Sequence, residues 1–294
     1  MIGALGTTLF FALTAVFANR AAQQLGSTVA NLYRLLLAAI ILGGWAHVAG
    51  LGLGGGAFGW FFVSGLAGFG LGGVAMFQAL PRLGSSLAML IVQCGTVLVA
   101  VVVEWSWLGT RLTGPQTACA VLTLAGVVLG LLPRSLSLAP REVLRTGIWW
   151  AVVSAVGQGV GAVLSRKAFA VAAAAHLRPD PATTAYQRAL GGLVVAALAV
   201  ALTRVVQSEK ARATLHVSWP WVLANALTGP VLGVTCYQWA LSTTPAGIVQ
   251  PIVATSPLAT IPLAALLERT WPRPLYFVGA ILAVAGVAGL YVAR

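Results

Sequence analysis

The chain has 294 residues, of which 59% are hydrophobic and 7% charged, with a mean hydropathy of +0.94. Soluble domains carry about 25% charged residues, so water cannot be the solvent for most of this surface, and the long apolar runs lack the alternation of a β-barrel. The net charge of +12, from 17 Lys and Arg against 5 Asp and Glu, lies singly or in small groups between those runs, as membrane topology signals do, and forms no basic stripe of the kind nucleic-acid binding requires.

A helix needs roughly 20 apolar residues to cross a bilayer. Ten such spans are predicted, at about 2–19, 28–47, 57–80, 85–107, 114–132, 147–165, 182–203, 217–241, 246–267 and 273–293. The expected fold is an all-α integral membrane protein. Span 1 has no basic residue ahead of it, so it reads as a retained helix rather than a signal peptide. The longest polar stretches are Pro133–Thr146, Arg166–Thr184 and Arg204–Ser218. The first divides the chain into 1–133, a linker 134–146, and 147–294.

The two halves repeat each other. Ala18-Asn19-Arg20-Ala21 closes span 1, and Ser165-Arg166-Lys167-Ala168 closes span 6. Tyr33-Arg34 opens span 2, and Tyr186-Gln187-Arg188 opens span 7. Phe77-Gln78-Ala79-Leu80 ends span 3, and Tyr237-Gln238-Trp239-Ala240-Leu241 ends span 8. Each half holds five spans, an odd number, so the second copy enters from the opposite side. That is an inverted repeat, an architecture of secondary transporters.

The connections 1–2, 3–4, 5–6, 7–8 and 9–10 share one face. They carry eleven basic residues: Arg20, Arg34, Arg82, Arg134, Arg141, Arg145, Arg204, Lys210, Arg212, Arg269 and Arg273. The other face carries six: Arg111, Arg166, Lys167, Arg178, Arg188 and Arg294. By the positive-inside rule alone both termini lie outside.

Span 9 is the most unusual helix. Pro251, Pro257 and Pro262 lie within it and Pro245 just before it. Each interior Pro removes a backbone hydrogen bond, leaving the carbonyls of Gly247, Val253 and Leu258 without their usual partners. Pro251 and Pro257 are therefore candidate hinges, with Gly95 at the centre of the repeat-related span 4. Broken membrane helices line cavities. Gln250, Thr255 and Ser256 beside the breaks, and Gln78, Gln93, Gln158, Asn225 and Gln238 in other spans, are candidate solute contacts, as is Tyr237. The same amides also serve as helix–helix hydrogen bonds. As solute contacts, amides suit a neutral or zwitterionic solute, because they donate and accept.

Glu104 is the acid inside an apolar run, and a membrane carboxyl is a candidate proton carrier. Trp105 and Trp107 behind it also allow it to reach water at the helix end. Arg34 and Arg188 lie about a turn inside their spans. They read as snorkelling cations, with carboxylate binding as the alternative. Gly126/Gly130, Gly157/Gly161 and Gly229/Gly233 have GxxxG spacing and read as packing sites. Cys94, Cys119 and Cys236 have no metal or disulfide spacing. His47, His176 and His216 are isolated, which gives no metal site.

Together these features resemble the EamA-like, ten-helix branch of the drug/metabolite transporter superfamily. The most specific stretch runs from Gly229-Pro230 to Glu268-Arg269, with Tyr237-x-x-Ala240-Leu241, Pro245-Ala246-Gly247 and Pro257 within it. Arg34, Arg188 and the Ala-Gly-Val of spans 5 and 10 also fit. Thr110-Arg111-Leu112 departs from the family's Glu-Arg-Leu, and Thr96 stands where the second half has Pro257. The resemblance implies a carrier that exports amino acids, metabolites or drugs, with both termini in the cytoplasm. That orientation opposes the charge count, and a bias under two to one is weak enough for the first helices to override.

The expected function is a secondary transporter in a cell membrane, a bacterial inner membrane, exporting amino acids or similar small metabolites by alternating access. Its partners are a small-molecule solute and the lipid bilayer. No cofactor is implied, since no phosphate-binding G-x-x-x-x-G-K-[ST] loop occurs. Five acids and three isolated histidines do not assemble an enzyme's acid–base constellation. A membrane channel or receptor is the alternative.

Overall fold

A backbone in hydrocarbon must pair its own N–H and C=O groups, and helices do that work here. The computed structural model describes residues 1–132, 140–206, 219–268 and 272–293. Within them all ten spans are present: Ile2–Leu25, Ser27–Val48, Phe58–Leu83, Ser85–Leu108, Gly114–Leu131, Arg141–Ala174, Pro181–Val206, a composite eighth from Trp219 to Thr243, a broken ninth from Ala246 to Glu268, and Pro274–Val292. Nine of these are long and apolar enough to cross a bilayer as helices; the composite eighth span completes the set. Arg134, Lys210, Arg212, His216, Arg269 and Arg294, and the first part of the expected linker, lie outside the described residues.

Span 6 is longer than expected, 34 residues rather than the predicted 147–165. Arg145 and Arg166-Lys167 mark where the chain leaves hydrocarbon. A helix need not stop there, and at 1.5 Å per residue this one reaches roughly 50 Å. The Ala-rich turn 170–174 favours its continuation. Arg141–Thr146, assigned above to a linker, is therefore helical.

Spans 3 and 8 are interrupted at mid-length. A π-helical segment, Leu66–Leu71, sits between Phe58–Gly65 and Gly72–Leu83. Its counterpart, Leu227–Gly233, sits between Trp219–Ala226 and Val234–Thr243. π-Bulges are rare and concentrate at functional sites. Each is braced by the opposite repeat: Ser154 of span 6 donates to the Gly72 carbonyl at 2.8 Å, and Thr14 of span 1 donates to Asn225 Oδ1 at 2.8 Å.

The packing repeats the same exchange. Span 1 packs on spans 8 and 9, and span 6 packs on spans 3 and 4, so each repeat's first helix is lodged in the other repeat. Spans 2 and 7 pair, as do 5 and 10. Close approach in the last pair depends on glycine: a Cβ at Gly279 would stand 2.5 Å from the Gly126 carbonyl oxygen and the Gly130 nitrogen.

The outward faces are apolar, as lipid requires. Ile281 and Val284 of span 10 are 69% and 68% exposed. Exposed Trp45, Trp105, Trp107 and Trp239 ring one end of the bundle, and Trp149, Trp219 and Trp221 the other, where indoles favour the interface.

Candidate functional site

Between the exchanged halves lies a cavity of about 880 Å³, within the size range of small-molecule sites. Arg20, Ser27, Pro81 and Ser86 stand at its mouth, on the face of the 1–2 and 3–4 connections. Thr14, Gly68, Arg188, Tyr237 and Gln250 line its depth. Both repeats contribute to the wall.

The opposite end is sealed. Beyond the cavity floor Phe61, Phe169, Leu241, Ile248, Ile252 and Leu290 form part of a buried apolar cluster. Above them Glu104 caps the start of span 9. Its Oε1 accepts the Ala246 amide at 3.0 Å and its Oε2 the Gly247 amide at 2.8 Å. Arg166 of span 6 donates to Glu104 at 3.3 Å and to the Leu241 carbonyl at 2.7 Å. Three spans thus meet at one carboxylate, and Arg166 ties in a fourth, span 8. The expectation that Glu104 reaches water is corrected: it is 2% exposed, because the N-terminus of span 9, not solvent, supplies its donors. It does not line the cavity.

Span 9 breaks where its prolines demand. Ala246–Val253 ends, a turn over Ala254 and Thr255 follows, and Ser256 restarts the helix. The Leu258 carbonyl freed by Pro262 accepts the Tyr276 hydroxyl at 3.0 Å. Val253 and Pro257 are buried, but both border the cavity.

The predicted contacts divide into two groups. Gln93, Gln158, Tyr237, Gln250, Ser256 and Pro257 line the cavity. Gln93 donates to Ser256 Oγ at 3.3 Å, joining the centre of span 4 to the break in span 9. Gln250 donates to the Tyr237 hydroxyl at 2.5 Å, and Gln158 to Ser154 at 3.0 Å. Gln78, Asn225, Gln238, Thr255, Gly95 and Pro251 lie behind the wall. Gln78 accepts from Arg82, and Thr255 donates to the Ile252 carbonyl. Gly95 abuts Ala155 of span 6. Pro251 is buried.

Arg188 corrects the snorkelling expectation. It is 3% exposed and turns into the cavity, its guanidinium carbon 5.1 Å from the Phe69 ring centroid and 5.3 Å from that of Tyr237. Nη1 donates to Gln238 Oε1 at 3.2 Å. Arg34, its counterpart, also lines the cavity and donates to Asn31 at 2.9 Å. The π-segments, invisible to hydropathy, lie beside these arginines, and the first makes room for Arg188. A Cβ at Gly68 would lie 2.7 Å from Arg188 Nη2, and one at Gly229 would lie 3.7 Å from Arg34 Nη1. Each π-segment thus faces the other repeat's arginine.

No group of three or more potential metal ligands occurs among the described residues, and Cys94, Cys119 and Cys236 are free thiols.

Two inverted five-helix repeats around a central cavity define a multi-pass membrane transporter of the drug/metabolite type, with a small-molecule solute. The chain belongs to the EamA-like transporter family, whose pattern matches residues 1–132 and again 145–292. A solved crystal structure, titled only as that of a protein, superposes with a TM-score of 0.78 at 17% identity, covering 99% of this chain and 95% of its own; that likeness concerns the fold. No curated protein matches the sequence at a significant level.

Proposed function

We propose that the protein is a secondary carrier that works by alternating access, exporting amino acids or similar small metabolites from the cytoplasm of a bacterial cell across its inner membrane. The observation that carries this reading is the asymmetry of the cavity: it reaches down to Pro257 from one face, while the apolar cluster and the Glu104–Arg166 pair close the other. Exchanging the packing of two similar halves opens the sealed end and seals the open one. A channel would need both ends open at once.

Single cysteines in a background lacking Cys94, Cys119 and Cys236 test it. Ser86→Cys at the mouth labels with a membrane-impermeant thiol reagent from one face only. Ile248→Cys at the sealed end becomes reactive from the other face during solute exchange, as Ser86→Cys becomes protected. Permanent protection of Ile248→Cys under active exchange would rule the mechanism out.

A further inference from the structure

We propose that the carried solute is a net anion whose carboxylate or comparable oxyanion group docks at Arg188, with Arg34 as the second cation of the same cavity. The inference rests on the carrier reading above and narrows its substrate class.

The first support is an incomplete partner set. Arg188 is buried, and its Nε has no hydrogen-bond partner. The bond to Gln238, the neutral Tyr237 phenol and the two ring faces supply no negative charge. A buried cation without a counter-ion is strongly disfavoured, and a ligand oxyanion facing the guanidinium edge supplies both the charge and the acceptors.

The second support is the charge of the wall. Arg20, Arg34 and Arg188 line the cavity, and no Asp or Glu does among the described residues. Glu104 is held by Arg166 and two amides at the sealed end. Glu142 lies in the first turn of span 6. Asp180 caps the start of span 7 through the amides of Ala182 and Thr183. A zwitterion would bring an ammonium group to a cavity offering it neutral amides and hydroxyls, whereas a net anion matches the field.

The third support is duplication. Gly68 and Gly229 occupy corresponding π-segments, each beside the other repeat's arginine, and at Gly68 the absence of a side chain gives Arg188 its space. Arginine rather than lysine also fits, because its planar fork stacks on Phe69 and Tyr237 while its edge stays free for an oxyanion.

The test is thermal unfolding of the purified full-length protein in detergent. The probes are sodium succinate, sodium phosphate and leucine, each against sodium chloride at matched ionic strength. Wild type is compared with Arg188→Gln, Arg188→Lys, Arg34→Gln and, as a control at an exposed position, Arg141→Gln. Succinate or phosphate is expected to raise Tm by several degrees in wild type and Arg141→Gln. The shift is abolished in Arg188→Gln, reduced in Arg34→Gln and partly kept in Arg188→Lys. The stronger of the two anions tells carboxylate from phosphate. Should Arg188→Gln fail to fold, Arg34→Gln and Arg188→Lys carry the comparison. No shift with either anion, equal shifts in wild type and the cavity variants, or a shift with leucine alone each overturns the assignment. Because the readout is binding, a failure of alternating access would leave this result standing.

Discussion

Glu104 of span 4 accepts the Gly247 amide of span 9 at 2.8 Å, so a carboxylate from the first repeat caps a helix of the second. A helix N-terminus presents unpaired N–H groups and a partial positive charge. With Arg166 added, the sealed end is fastened by four charge-assisted or backbone bonds, counting the Leu241 carbonyl.

That arrangement sets an expectation for Glu104→Gln. The amide keeps the shape but turns an NH₂ toward donors and leaves Arg166 without its anion. Removing one partner of a buried pair costs about 3–5 kcal/mol, somewhat less here because Arg166 is part-exposed. Thermal stability should fall, and Ile248→Cys should label more readily because the sealed end opens. The pH profile of transport should persist. A variant of normal stability that loses pH dependence would instead make Glu104 the proton carrier.

Gly279→Ala should destabilise the protein. Alanine favours a helix over glycine by about 1 kcal/mol, but its Cβ meets backbone atoms of Gly126 and Gly130 at 2.5 Å. Backbone cannot swing aside as a side chain can. Overpacking costs about 1–3 kcal/mol, so a net fall in Tm of several degrees is expected. An unchanged Tm would show that spans 5 and 10 separate freely.

The spans and their duplication were legible because hydropathy and repeated motifs such as Tyr33-Arg34 and Tyr186-Gln187-Arg188 are local features of the chain. The break in span 9 was legible because proline acts locally. The π-segments were not, since Leu66–Leu71 and Leu227–Gly233 are as apolar as any helix and the side chains that bond beside them, Ser154 and Thr14, come from distant spans. The inward turn of Arg188 was not legible for a related reason: its distance from the helix end says nothing about which side of the helix it leaves. Gln93 and Gln78 look alike in sequence, yet one faces the cavity and the other is held by Arg82, a distinction that only packing makes.

Asp180 offers a pH test outside the membrane-spanning region. Burial works to raise its carboxyl, but hydrogen bonds from Thr183, Trp45 and Ala182 outweigh it and hold the group below the usual carboxylate range. A depressed folded value means that the stabilisation is present above the unfolded value of about 3.9 and is lost as pH falls through the folded one. Asp180→Ala should cost about 1 kcal/mol at neutral pH, as loss of an N-cap does, and this difference from wild type should shrink in acid. A difference independent of pH would deny the carboxylate its capping role.

Orientation is decided by a reporter fused after the last residue. The family resemblance places both termini in the cytoplasm, and then the cavity mouth faces outward. The C-terminal reporter should behave as cytoplasmic. An external reporter would restore the reading from the eleven-to-six distribution of basic residues and reverse the direction in which the cavity opens.

The last expectation concerns Pro257. The chain turns at Ala254 and Thr255, and the helix resumes one residue before Pro257. Proline has no N–H to give the Val253 carbonyl, and both residues border the cavity. Above the break, span 9 is clamped by Glu104. Below it, the Tyr276 hydroxyl ties Leu258 to span 10. The two pieces are thus anchored to different neighbours, and the turn between them is where they can move apart. Pro257→Ala supplies the missing N–H, makes a bond to Val253 available and lets the helix run straight. The fold should survive, because alanine is smaller and a better helix former. A straightened span 9 favours one access state, so the exchange rate in proteoliposomes should fall several-fold while solute binding changes less. Both measurements belong to one preparation, so that a folding defect would show in each. Unchanged exchange in Pro257→Ala would mean that the break shapes the cavity wall without moving it.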